Sequence, residues 1–189
     1  MAVFIPILHD AQEDCLVLNQ TSYRKITEST RRIVSHLPLG EQVLRLPTLL
    51  CAAVYVFAAV RLLINRDQRL LPFLVIPAVC FLAVTFLRKA INRTRPYDAF
   101  HLPPVGHYQP GKGKSMPSRH AASAVAILMA LLSLNLPVYA GTALILLTIV
   151  ICLLRIASGH HYPGDVLAGA LLSIALSLVL FSVFSRLMM

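Results

Sequence analysis

His161 and Asp165 stand four residues apart, and Arg155 lies six residues before the histidine. An imidazole, a carboxylate that can orient it and a guanidinium make a nucleophile unit for phosphorus, because the guanidinium fork matches phosphate oxygens better than an ammonium does. His120, in a separate stretch, supplies a second imidazole suited to protonating a leaving alkoxide or phosphate. Arg88 and Arg95 are seven residues apart, two helical turns, and share one face if the helix persists to Thr94 before Pro96 ends it. Pro117 and Ser118 read as a helix start, which aims free backbone N–H groups and a positive dipole end at an anion.

These residues must be held by elements that are mostly apolar. The 189 residues are 57% hydrophobic and 13% charged, with mean hydropathy +0.73. An average globular chain carries about 25% charged residues, so too few polar groups are present to coat a globule and the apolar surface must face lipid. The net charge of +9 does not signal nucleic-acid binding, since the cations sit in short clusters between apolar runs rather than on a solvated face. A membrane span takes about 20 residues. Charge-free runs, the first of them Leu46 to Val60 and extended past Arg45 and Arg61, which can snorkel at its ends, then predict five spans: Val43 to Ile64, Leu70 to Leu87, Ala121 to Leu134, Val138 to Ala157 and Val166 to Ser185, with Asn135, Pro137 and Gly141 marking the turn between the third and fourth. The fold class expected is an all-α polytopic membrane helix bundle.

Residues 1–42 read as an N-terminal interfacial segment and residues 43–189 as the membrane-embedded domain. Within the former, Tyr23, Ile26, Thr30, Ile33, Val34 and Leu37 fall on one helical face, with Arg24, Lys25, Glu28, Arg31 and Arg32 on the other. A sixth full span there is the less favoured alternative, given the charges. Asp10, Glu13 and Asp14 interrupt the apolar start, so no cleavable leader is expected. Cys15, Cys51, Cys80 and Cys152 lack metal-ligand spacing and read as small packing residues. Five spans bring the N-terminal segment, the loop after the second span and the loop after the fourth to one side of the membrane. That side holds thirteen of the seventeen cations, counting from Arg24 to Arg155 and leaving out Arg61, Arg66 and Arg69. Literal charge counting makes it cytoplasmic. A phosphate site, however, concentrates cations for its own reasons.

The three clusters resemble the integral-membrane type-2 phosphatidic acid phosphatases, which are related in their site to the vanadium-dependent haloperoxidases. The family pattern Lys-x6-Arg-Pro, Pro-Ser-Gly-His and Ser-Arg-x5-His-x3-Asp appears here as Arg88-x6-Arg95-Pro96, Pro117-Ser118-Arg119-His120 and Leu154-Arg155-x5-His161-x3-Asp165. Arg88 replaces the usual Lys, Arg119 the usual Gly and Leu154 the usual Ser. The resemblance covers roughly residues 43 to 189. It implies catalysis by His161, His120 and Asp165: His161 attacks phosphorus to give a phosphohistidine, Asp165 orients it and His120 protonates the leaving group. Arg88, Arg95, Ser118, Arg119 and Arg155 would hold the phosphoryl oxygens, with no metal ion and no cofactor.

The expected activity is that of a multi-pass lipid phosphatase acting on a phosphomonoester or an isoprenoid diphosphate, undecaprenyl-diphosphate-like or phosphatidic-acid-like. Its partners are a phosphorylated lipid substrate and the surrounding membrane lipids, and the resemblance favours the plasma membrane with an extracytoplasmic site. A phosphotransferase using the same site is the alternative. A transporter of phosphorylated lipids is less favoured, because the apolar runs carry no charge at mid-depth, and haloperoxidase chemistry is less favoured still, because membrane spans suit lipid substrates better than dissolved halide. Lys89 and Arg93 read as interfacial anchors, His160 as structural, and His9, His36, His101 and His107 as loop or interface residues. Lys112 and Lys114 belong to a solvated loop or greet an anionic headgroup.

Overall fold

The computed structural model describes residues 19–187 except Gln109 and Lys112. Cys15, His9, Lys112 and the expectation about a leader therefore lie outside the described residues. The regular elements among them are all helical: α1 Gln20–Ser35, a 3₁₀ turn Gly40–Arg45, α2 Leu46–Ile64, α3 Leu70–Ile91, the short α4 Pro96–Ala99, α5 Arg119–Leu132, α6 Val138–Ala157 and α7 Pro163–Leu187. The predicted all-helical bundle is the observed one.

α5 is the axis, packed against α2, α3, α6 and α7. Its side chains explain why. Ala121, Ala122, Ala124, Ala126 and Ala130 are all buried, and small residues let neighbouring helices approach closely. At 14 residues, or about 21 Å, α5 is shorter than the other spans. Ringed by protein, it need not match the hydrocarbon thickness by itself. α2, α3, α6 and α7 are long and apolar enough to cross a membrane. Their outward faces carry Phe57, Phe86, Leu146 and Leu178, each more than half exposed, which is the lipid-facing belt that the composition demanded. At Gly169, α7 comes so near the start of α5 that a Cβ would lie 2.6 Å from the carbonyl oxygen of Ser118.

Pro77 leaves the Phe73 carbonyl in α3 without its helical donor. The Tyr55 hydroxyl of α2 donates to that oxygen at 3.0 Å, while its ring stacks on Phe73. Cys51 and Cys80 lie in the core, as packing residues should, with Cys80 between α3 and α7. Asn135 takes up a left-handed turn between α5 and α6, where the turn was expected.

Two expectations are corrected. The α3 helix stops at Ile91, with Asn92 left-handed at φ 46°, so Arg88 and Arg95 do not share a helix face. Asn92 tolerates that conformation, and Arg95, which precedes Pro96, is extended at φ −79°, ψ 154°. In α1 the packed face is Tyr23, Thr27 and Val34, whereas Ile33 is 64% and Leu37 38% exposed. With 16 residues, α1 reaches about 24 Å and does not form a sixth span.

The amphipathic α1 is tied to the end of the bundle that carries the motifs. The Tyr23 hydroxyl points at the carbonyls of Leu102 and Gly159, at 3.2 and 3.3 Å. Arg31 donates to the carbonyl of Pro103. Gly159 has φ +76° and no room for a side chain, since a Cβ there would sit 2.5 Å from the Tyr23 hydroxyl. α1 thus clamps the loop that carries His160 and His161.

Candidate active site

The loop after α3, the start of α5 and the α6–α7 loop converge at this end of the molecule. Ser118 caps α5, its side chain accepting from the backbone N–H of Ala121, and its own N–H donates to the Asp165 carbonyl at 2.8 Å. That single bond fixes the start of α5 to the first turn of α7. Arg88 is 5% exposed and donates to the Pro117 carbonyl at 3.2 Å, which pins it beside the same helix start. Arg95 donates to the Gly113 carbonyl and to the Tyr97 hydroxyl.

His161 and Asp165 are buried, at 3% and 0% exposure. The nearest oxygen to His161 Nδ1 is not the carboxylate but the hydroxyl of Ser115, at 3.5 Å against 3.7 Å for Asp165 Oδ2. Ser115 in turn donates to Asp165 Oδ2. The other carboxylate oxygen accepts from Arg93 Nη1 at 2.8 Å, and the Tyr162 N–H donates to Oδ2 at 3.0 Å. A fully partnered carboxylate stays ionised and fixed. With Nδ1 carrying the proton toward Ser115, Nε2 is the unprotonated ring nitrogen.

Arg93 is therefore not an interfacial anchor. It is half-buried, bonded to Asp165, and stacked on the Tyr162 ring at 4.3 Å. Lys89 stays at the outer surface over Phe86, as an anchor would. Sequence reasoning missed Arg93 and Ser115 as site residues. The spacing Arg93-x-Arg95-Pro96 and a serine two residues before Pro117 were the available signals.

Two cavities of about 420 Å³ each meet at Thr48, Arg119 and His120. One is polar, with Arg45, Arg95, Arg155, His107 and His160 on its wall. The other runs into the bundle between α2, α3, α5 and α6, lined by Cys51, Ala52, Phe81, Ala124, Ile127 and Ile151. A charged chamber that opens into an apolar groove fits an amphiphile with an anionic head. Arg119, His120, Arg95 and Arg155 reach the chamber together. Arg88, Ser118, His161 and Asp165 are buried and lie off the wall of either cavity.

Burial pulls the His161 imidazole below its usual range, against the opposing pull of Asp165, with Arg95 and Arg88 adding to the depression. His160 is pushed down to about 4, chiefly by burial. Its Nε2 faces the His107 carbonyl at 3.0 Å and must donate, so Nδ1 accepts from Ser158 at 2.9 Å. Both ring nitrogens are used, which agrees with a structural role. Its unfolded form takes up a proton near 6.5, whereas the folded form waits until about 4. The stability it contributes is complete above 6.5, falls as pH drops through that window and levels off below 4. Melting in detergent from pH 7.5 to 4 should show this fall, and His160→Asn should flatten part of it. An unchanged slope in that variant would refute the assignment.

The sequence profile of the PAP2 superfamily matches residues 69–189. A curated relative from Rhizobium johnstonii, named lipid A 1-phosphatase, is 35% identical over 109 residues, covering 56% of this chain and 43% of the relative. The chain thus spans less than half the length of that relative. The crystal structure of Aquifex aeolicus LpxE superposes with TM-score 0.66 at 26% identity, covering 88% of this chain and 96% of that one. A PAP2-type phosphatidylglycerolphosphate phosphatase from Bacillus subtilis matches in fold, with TM-score 0.66, 19% identity, and coverage of 88% and 86%.

Proposed function

Because this chain belongs to the PAP2 superfamily, we propose that it is an integral membrane lipid phosphatase that cleaves a phosphate ester through a covalent phosphohistidine. The observation that carries this reading is the buried unit of Arg93, Asp165, Ser115 and His161 beside a chamber of guanidiniums that opens into an apolar groove.

The lipid chain lies in the groove lined by Phe81, Ile127 and Ile151, and the head enters the chamber past Thr48. Arg95, Arg119 and Arg155 take the non-bridging oxygens, where charge builds up in the transition state. Nε2 of His161 attacks phosphorus as the bond to the lipid oxygen breaks, and that oxygen takes a proton from His120. Ser115 accepts from Nδ1–H and passes its own hydrogen bond to Asp165, so the positive charge on the ring is met by a carboxylate held ionised by Arg93. In the second step water attacks the phosphohistidine, His120 takes the water proton, and the P–N bond breaks to release phosphate and restore His161. The charge work is done by guanidiniums, so the reaction needs no metal.

Depressed by burial, His161 keeps its neutral, attacking form below pH 6.5. Release of phosphate by the purified protein in detergent, with chelator present, from isoprenyl and phosphatidic-acid-type lipids tests the reading. Activity that survives chelation supports it, and silence from a folded protein toward every lipid overturns it. The same reading puts the site on the extracytoplasmic side of the plasma membrane, because the cations crowded at this end serve phosphate rather than topology. A cysteine replacing exposed Lys25 on α1 should be labelled in intact cells by an impermeant reagent. Protection of that cysteine, with labelling restored on lysis, would reverse the orientation.

A further inference from the structure

A groove of about 920 Å³, larger than either cavity beside His161, lies at the other end of the bundle. Phe57 and Ala58 of α2, Leu134 of α5 and Ala143 of α6 line its apolar length. Val54, Leu134 and Leu144 pack against the core around Leu62 and Leu131 yet stay only partly buried, so the groove takes up the rest of their surface. Along α2 the lining runs from Val54 to Asn65, eleven residues or about 16 Å. That is the depth of one leaflet, half of a hydrocarbon core about 30 Å thick. Tyr139, 78% exposed on the rim, sits at the level where an aromatic ring meets the headgroups.

The mouth of the groove is cationic. Arg61, Asp67 and Arg69 stand there, and Asp67 is already taken, its Oδ2 accepting from Arg69 Nη2 at 2.7 Å. Arg61 is exposed and, among the described residues, has no hydrogen bond or ion pair. With Arg66 and Arg186, this end of the described chain carries four guanidiniums against the one carboxylate of Asp67. An unoccupied apolar groove forfeits dispersion contacts along its walls, which an acyl chain restores. A second copy of the chain suits the groove poorly, because copies sharing one orientation in the membrane bring the same cationic rim to the same depth. A lipid with a net negative head matches both the apolar length and the charge.

We propose that this groove is a second lipid site, which holds an anionic phospholipid of the leaflet farther from His161, with a chain between α2 and α6 and its phosphate on Arg61. The site is separate from the phosphoryl chamber and does not depend on the phosphatase reading.

The chain contains no tryptophan, so a single introduced indole reports alone. Phe57→Trp places it on the groove, at a side chain already 66% exposed. The protein is reconstituted in vesicles of equal parts phosphatidylglycerol and phosphatidylcholine, with bromine on the chains of one lipid or the other. Quenching should report about fivefold enrichment of phosphatidylglycerol at this indole, the scale of one guanidinium beside an anionic lipid. Adding Arg61→Gln should bring the ratio near one, and Arg61→Lys should keep most of it. Leu146→Trp is the control, eight residues into α6 from the same end, 57% exposed and outside the groove. Its indole should be quenched alike by both lipids, with or without Arg61→Gln, which also shows that the substitution leaves the bundle folded. Equal quenching by both lipids at Phe57→Trp, an equal preference at Leu146→Trp, or a preference that survives Arg61→Gln overturns the site. Weak quenching by both lipids at Phe57→Trp alone means that protein covers the groove, and overturns it as well.

Discussion

His161→Ala is expected to lower phosphate release by about four orders of magnitude or more, the scale on which removal of a catalytic nucleophile acts. The imidazole is the attacking group in the proposed mechanism, and the positions of Ser115 and Asp165 serve only to aim it. Little else should change. The side chain is 3% exposed but, among the described residues, bonds no main-chain group, so alanine removes volume without orphaning a backbone donor or acceptor there. The variant should still bind lipid, because the guanidiniums of the chamber remain. Substrate labelled in the transferred phosphoryl group, quenched in alkali during turnover, should leave label on the wild-type chain and none on the variant. Turnover by His161→Ala within tenfold of wild type would sink the covalent mechanism.

Arg93→Met is expected to cost about 3–5 kcal/mol of stability and most of the activity. Asp165 is completely buried, and Arg93 is its charge partner at 2.8 Å. Removing one member of a buried ion pair strands the other, which costs far more than the pair contributes when intact. The same carboxylate holds the Ser115 hydroxyl, and its backbone carbonyl receives the N–H of Ser118. Disturbing it therefore loosens both His161 and the start of α5. A second substitution separates the two effects. In Arg93→Met with Asp165→Asn no charge is buried alone, so melting temperature should recover while activity stays low. If the single variant melts like the wild type, Arg93 is only the surface anchor that its place near the end of α3 suggests.

The helices were legible because lipid imposes a simple rule. A charge-free run of the right length must close its own backbone hydrogen bonds, and helix does so without help from distant residues. The runs from Leu46, Leu70, Val138 and Pro163 became helices close to the predicted bounds. The turn at Asn135 was likewise set by local chemistry, since Asn tolerates the left-handed conformation and Pro137 cannot continue a helix. Arg95 shows where such local reasoning stopped. A seven-residue spacing implied one helix face, but Asn92 ended α3 three residues early, and Arg95 reached the chamber along an extended turn.

By itself, the sequence determined that the chain is a helical membrane bundle and which short clusters hold its chemistry, because hydropathy and motif spacing are properties of neighbours along the chain. Only the tertiary structure decided that Ser115 lies between His161 and Asp165, that Arg93 serves the carboxylate, and that Arg45 joins the chamber wall. These are contacts across 46, 72 and about 110 residues of chain. They exist because α5, sheathed in alanine, lets four helices close around it and draws their ends into one site.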